Sequence, residues 1–155
     1  MPKIIHASIP ADQPSTVAHF FADLLDGEAF PFPPGGSDAW VAWAADSSMQ
    51  IEVVPRGALL RQGPDEAEWR VAEAPQRTSE VHLALRVDCP AEQVIARAKS
   101  AGWPARLCWR GGDVFPLVEV WVEGAFLVEV FDPLQAAIFE ERVTRESWAR
   151  LHQPA

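Results

Sequence analysis

The chain carries one pattern twice. His6 is followed 46 residues later by Glu52, and His82 is followed 47 residues later by Glu129. Thirty residues after each His stands the second glycine of a Gly-Gly pair, Gly35-Gly36 and then Gly111-Gly112, and the Glu follows 16 or 17 residues further on. A repeat of this size is a supersecondary unit used twice, so the fold must accommodate two like modules.

Each module reads as one strand, one helix and three more strands. The His-bearing runs are Ile4-Ile5-His6-Ala7-Ser8-Ile9 and Val81-His82-Leu83-Ala84-Leu85-Arg86-Val87. Because side chains alternate along a strand, Ile5, Ala7 and Ile9, or Val81, Leu83, Leu85 and Val87, form a wholly apolar face, and the His shares the other face with Ser8 or Arg86. The first helix starts around Asp12 and Pro14, buries Val17, Phe20, Phe21, Leu24 and Leu25, and stops at Gly27. The second starts around Asp88 and Pro90, turns Ala91, Val94, Ile95 and Ala98 inward, and stops at Gly102. His19 falls opposite the apolar stripe and reads as a solvated residue. Three strands follow each helix: roughly Ala29 to Phe32, Trp40 to Ala45 and Met49 to Val54, then Ala105 to Trp109, Leu117 to Val122 and Phe126 to Phe131. Asp46-Ser47-Ser48 and Glu123-Gly124-Ala125 supply the hairpin turns.

Each Glu stands alone among strand residues that belong in a core, and so does each His. Buried ionisable groups are costly without partners. A divalent metal would satisfy His6, Glu52, His82 and Glu129 together, because two imidazoles and two carboxylates are a usual ligand set for a first-row ion.

Other residues bear on a binding site. Arg86 lies four residues beyond His82 on the same strand face, where its donor fork suits an anionic substrate group; the alternative is a pairing with a nearby acid such as Asp88. Trp40 or Trp43, Trp109, Trp121 and Phe131 fall on strands expected to wall a cavity, with Trp121 on the face of Glu119, and Phe131 and Leu127 on that of Glu129. The seven Trp and eight Phe come without any Tyr, so proton transfer at neutral pH rests on His, Glu, Asp, Cys or metal-bound water.

A net charge of −9 argues against nucleic acid or an anionic membrane as partner. Neither a membrane-length apolar run nor a signal-peptide pattern is evident, which points to the cytoplasm. Cys89 and Cys108 lie in no redox or zinc motif and read as free thiols. The expected organisation is a single domain: module one at about 3–55, a linker at 56–79, module two at about 80–133, and a C-terminal helical segment at 134–151. That segment, with Ile138, Phe139, Val143, Trp148 and Leu151 as its apolar residues, reads as a packing helix.

With these residues the chain resembles the vicinal oxygen chelate superfamily, which includes glyoxalase, bleomycin-resistance and extradiol dioxygenase proteins. The resemblance spans about Lys3 to Pro133. It implies an α+β fold in which two βαβββ modules pair around a central cavity. His6 matches the ligand on the first strand of module one and Glu52 the one on its last strand; His82 and Glu129 match those of module two. The order His, Glu, His, Glu is most similar to bacterial-type glyoxalase I. The resemblance further implies a divalent cofactor, with Ni, Zn or Co ahead of Mn or Fe, and a small-molecule substrate; the strand edges and apolar face that two such modules leave to cover point to a two-fold homodimer. The reaction it implies is metal-dependent lyase or isomerase chemistry: vicinal substrate oxygens chelate the ion, a proton is abstracted next to a carbonyl, and the ion stabilises the resulting enediolate. Glu52 and Glu129 are both candidates for the base, with Glu129 favoured as the mobile one. The alternative is a non-catalytic, bleomycin-resistance-like protein that sequesters an aromatic or cationic ligand.

Overall fold

A computed structural model describes residues 4–151 except Gly63, Asp65, Glu66, Gln76, Thr78 and Glu80. Lys3 and the side chains of Trp148 and Leu151 lie outside the described residues. The chain divides into two compact units. One comprises Met1–Glu80 with Val122–Phe126, and the other Val81–Trp121 with Leu127–Ala155.

In the first unit, β1 (His6–Ala11), α1 (Pro14–Leu24), β2 (Glu28–Pro31), β3 (Trp40–Trp43) and β4 (Gln50–Pro55) follow in order. The strands form a sheet of order β1-β4-β3-β2, with β1 parallel to β4 and the other pairs antiparallel. Helix α1 buries Val17, Phe20, Phe21 and Leu24 as the apolar spacing predicts. It covers the sheet face formed by Ile9, Ile51, Val53 and Ala42, all of them buried. Gly27 ends the helix where the chain turns into β2. A Cβ there would lie 1.9 Å from the Trp43 carbonyl oxygen, so only glycine permits this approach. Exposed His19 stacks on Trp40, with ring centroids 5.1 Å apart, and stays on the helix side.

The second unit repeats the topology. It contains β7 (Leu83–Arg86), α2 (Ala91–Ser100), β8 (Ala105–Arg110), β9 (Phe115–Val122) and β10 (Phe126–Phe131), in a sheet of order β7-β10-β9-β8 with β7 parallel to β10. Helix α2 buries Ala91, Val94 and Ala98 and ends at Gly102, whose φ of +78° suits glycine. The α+β class and the twofold βαβββ order are thus as expected.

Four expectations are corrected. The His strands start later than their apolar residues suggest: β1 opens at His6 because its partner β4 opens opposite it at Gln50, and β7 opens at Leu83, one residue after His82. Ile5 and Val81, expected to face inward, are 63% and 67% exposed. The inter-module linker is also more than a connection, because Ala58–Gln62 and Ala67–Val71 form an antiparallel hairpin, β5 and β6. Gly57, at φ +93°, turns the chain from β4 into it.

Finally, the C-terminal segment forms two helices instead of one. Helix α3 (Pro133–Arg142) opens with a capping box between Asp132 and Gln135. Thr144 and Ser147 then exchange backbone-to-hydroxyl hydrogen bonds at 3.0 and 3.1 Å, a fresh cap that starts α4 (Arg145–Leu151). Through Ala136 and Phe139, α3 packs on Leu117, Phe131 and Phe115.

Candidate metal centre

The ladder register accounts for the position of each His–Glu pair. Ser8 stands opposite Glu52 in the parallel pair β1–β4, so His6, two residues earlier, lies diagonally across on the same face. In the second unit Ala84 stands opposite Glu129, and His82 has the same two-residue offset. The side chains meet accordingly. Nε2 of His6 lies 3.9 Å from Oε1 of Glu52, and Nε2 of His82 lies 3.7 Å from Oε2 of Glu129. Exposure matches as well: the imidazoles are 50% and 54% exposed and the carboxylates 12% and 14%. The glutamates are therefore nearly buried, as their strands imply, whereas the histidines stand at the open margin of the sheet.

In each unit one carboxylate oxygen faces the imidazole and the other is held from behind. Ser8 Oγ donates to Oε2 of Glu52 at 2.6 Å. The matching position in the second unit is Ala84, which has nothing to donate, and Arg110 of β8 supplies the contact instead. Its Nε and Nη2 reach Oε1 of Glu129 at 3.0 and 2.8 Å, and the same Nη2 reaches Oε1 of Glu119 at 2.6 Å. Arg106 completes the network with a 2.6 Å bond from Nε to Glu119. Burial pushes the Glu119 carboxyl up, but the Arg110 and Arg106 hydrogen bonds outweigh it and hold the group below the usual carboxylate range. Arg110 is raised above its ordinary value, chiefly through its hydrogen bond to Glu119. Burial likewise raises the Cys108 thiol, and neither Cys89 nor Cys108 is in a disulfide.

Sequence reading missed Arg110 and gave Glu119 only a passing place. The available signal was an Arg in alternation with Arg106 on a strand paired to the one bearing Glu119. Arg86, expected to serve an anionic substrate group, pairs with Glu140 of α3 at 3.0 Å; the acid partner is Glu140 and not Asp88. Phe131 is only 6% exposed and packs against Phe115 and Phe139, so it belongs to the core beneath α3. Trp121, 36% exposed, lies on the Glu119 face as expected. Trp109 does not: it alternates with Arg110 and so faces away from Glu129. In the first unit Trp43, paired with Gln50, shares the Glu52 face, while Trp40 lies on the helix side.

The donor chemistry fits a divalent ion. Two ligands of one ion at ~2.0–2.2 Å lie roughly 3 to 3.5 Å apart, so each His–Glu pair needs only a sub-ångström side-chain adjustment. Among the described residues, neither unit adds a third His, Cys, Asp or Glu to its pair.

No family model matches the sequence, and neither does any curated protein. Solved structures do. The fosfomycin resistance protein FosX from Listeria monocytogenes, complexed with Mn(II) and sulfate, is 13% identical with a TM-score of 0.56, covering 98% of this chain and 99% of that one. Lactoylglutathione lyase from Agrobacterium tumefaciens is 14% identical with a TM-score of 0.52, covering 84% and 93%. A putative glyoxalase family protein from Bacillus anthracis is 12% identical with a TM-score of 0.53 over the same shares. The chain has the glyoxalase-like fold. At these identities the likeness is one of fold alone, and it does not single out the glyoxalase I ligand pattern, because fosfomycin-resistance and glyoxalase proteins both share the architecture. A FosX variant with this fold has been solved with Mn(II) and 1S,2S-dihydroxypropylphosphonic acid.

Proposed function

We propose that this protein is a metal-dependent enzyme of the vicinal oxygen chelate superfamily, acting on a small substrate that carries adjacent oxygens. The observation that carries the reading is the repeated His–Glu geometry, 3.9 Å in one unit and 3.7 Å in the other at the same ladder offset. Two unrelated surface contacts have no reason to share spacing, register and exposure. A site assembled from both pairs has four protein ligands, His6, Glu52, His82 and Glu129. When bound, the ion supplies a Lewis acid for neighbouring substrate oxygens.

The chain's own residues then have distinct tasks. His6 and His82 offer Nε2 from the open margin of their sheets. Glu129 offers Oε2 while Arg110 fixes Oε1. Glu52 is held by the single Ser8 hydroxyl, which leaves it freer to swing, so it can take a proton next to a carbonyl and return it. The reaction class is isomerisation or lyase-type rearrangement. The occurrence of Mn(II) in a protein of the same fold supports a divalent cofactor and moves manganese, ranked behind nickel, zinc and cobalt from sequence, up beside them among the ions to be tried.

The test is equilibrium dialysis of the purified chain against Mn, Ni, Co and Zn, one at a time, followed by a substrate screen of 2-oxoaldehyde adducts and 2-oxo acids. One ion per site, lost in His6→Ala and in His82→Ala alike, is the expected result. Binding that survives either substitution unchanged would refute a shared centre.

A further inference from the structure

The two half-sites hold their glutamates by different means, and the difference is written into the ladder. Opposite Glu52 stands Ser8, whose hydroxyl is 2.6 Å from Oε2. Opposite Glu129 stands Ala84, exposed and without a donor. From β8, two strands from β10 on the side away from Ala84, Arg110 reaches Glu129 instead. It contributes two nitrogens to one oxygen of Glu129 and is itself gripped by Glu119, which is only 4% exposed and also bound to Arg106. Arg110's remaining Nη1 lies 3.6 Å from Cys108 Sγ, and although the side chain is 33% exposed, its Nε and Nη2 are already engaged by the two glutamates.

We infer that Arg110 is a positioning residue for Glu129, replacing in the second module the hydroxyl that Ser8 supplies in the first. Its grip on Oε1 turns Oε2 toward His82 Nε2, so that the carboxylate offers the ion one oxygen in a fixed direction. Partners that orient a metal-binding side chain are worth roughly ten- to a hundredfold in metal affinity. Simple electrostatics predicts the opposite sign for this residue, because removing a cation beside a metal site favours a second cation. Experiment can therefore separate aiming from charge ballast.

The inference rests on the metal reading only for its affinity arm. Crystal structures of metal-free wild type, Arg110→Ala and Arg110→Ala/Ala84→Ser test the positioning itself, and titration of the same proteins with Mn(II) tests its consequence. In Arg110→Ala, Glu129 should turn away from His82 and Mn(II) affinity should fall roughly ten- to a hundredfold. Arg110→Lys, which keeps the charge but loses the fork, should keep the melting temperature closer to wild type yet fail to restore affinity. In the double variant a serine hydroxyl stands where Ser8 does, so it should return Glu129 to its place and recover most of the affinity. If Glu129 is unmoved in Arg110→Ala, or if Mn(II) binds more tightly there, the inference is overturned. Should wild type bind no divalent ion, the metal reading fails while the metal-free structures still decide whether Arg110 positions Glu129.

Discussion

Arg110 binds Oε1 of Glu129 through two nitrogens, whereas among the described residues the side-chain hydrogen bond to Glu52 comes from the Ser8 hydroxyl alone. Two charge-assisted bonds converging on one carboxylate oxygen hold it more firmly than a single hydroxyl does, so Glu52 is the freer of the two to pivot. The sequence favours Glu129 as the mobile base; the function proposed above assigns that role to Glu52 instead, on the strength of these grips.

The first prediction follows from this asymmetry. Glu52→Gln should lower turnover by about 10²-fold or more, the usual contribution of a general base, with metal affinity less affected. Glu129→Gln should weaken metal binding at least roughly tenfold, because it replaces a ligand and releases Arg110. Steady-state kinetics on the true substrate, read beside metal titrations, checks both. Equal effects of the two substitutions on both quantities would sink the division of labour.

Acid should destabilise the fold through two carboxyls. Glu119 and Asp12 are both held below the usual carboxylate range: burial raises each, and arginine hydrogen bonds more than offset it, from Arg110 and Arg106 in one case and from Arg56 and Arg77 in the other. A group whose folded-state pKa is lowered contributes stability above its unfolded value and loses it as pH falls through the folded one. Melting temperature should therefore fall as pH drops below about 4. Glu119→Gln should flatten part of that fall while costing about 1.5–3 kcal/mol at neutral pH, the range for hydrogen bonds to charged groups. A melting curve whose acid limb is unchanged in Glu119→Gln would show that this network is not what acid disrupts.

Glycine at the ends of the two helices does different work, and the difference is measurable. At Gly27 a Cβ would strike the Trp43 carbonyl, a backbone group that cannot turn aside, whereas at Gly102 there is open space and only the positive φ is strained. Gly27→Ala should cost about 3 kcal/mol or more, and Gly102→Ala about 1 kcal/mol. Chemical denaturation of both variants gives the comparison, and equal costs would contradict it.

The parts of this molecule legible from sequence were those set by periodicity. The twofold βαβββ order, the buried faces of α1 and α2, and the pairing of each His with its Glu all follow from spacing along a strand or helix. What escaped notice depended on contacts between strands. Arg110 looks like an ordinary strand-end arginine: the β8–β9 register sets it opposite Phe115, and only the reach of its side chain along the sheet face brings it to Glu119 and Glu129. Ile5 and Val81 look like core residues, but they precede the ladder pairs that open their strands, His6 with Gln50 and Leu83 with Val128, and so stay exposed. The break between α3 and α4 was present as a Thr and a Ser three apart, a local cap that the apolar spacing across it concealed.

Assembly supplies the last prediction. The hairpin β5–β6 pairs Leu60 with Trp69 and Ala58 with Val71, so these four side chains share a face, on which Leu60, Trp69 and Val71 are 56%, 37% and 89% exposed. A lone two-stranded hairpin with an open apolar face gains little stability by itself and offers surface to a partner. Two-fold homodimers are the commonest way to cover such surface. Light scattering at micromolar concentration should give about twice the 17.1 kDa of one chain, and Leu60→Asp with Val71→Asp should shift the protein toward monomer. A wild-type mass near 17.1 kDa would refute the dimer. If the dimer forms, mixing His6→Ala chains with Glu129→Gln chains asks how its sites are built. Sites that draw one His–Glu pair from each chain would regain activity in the mixed dimer, because one of its two sites would then carry no substitution. Sites built within a chain would stay inactive.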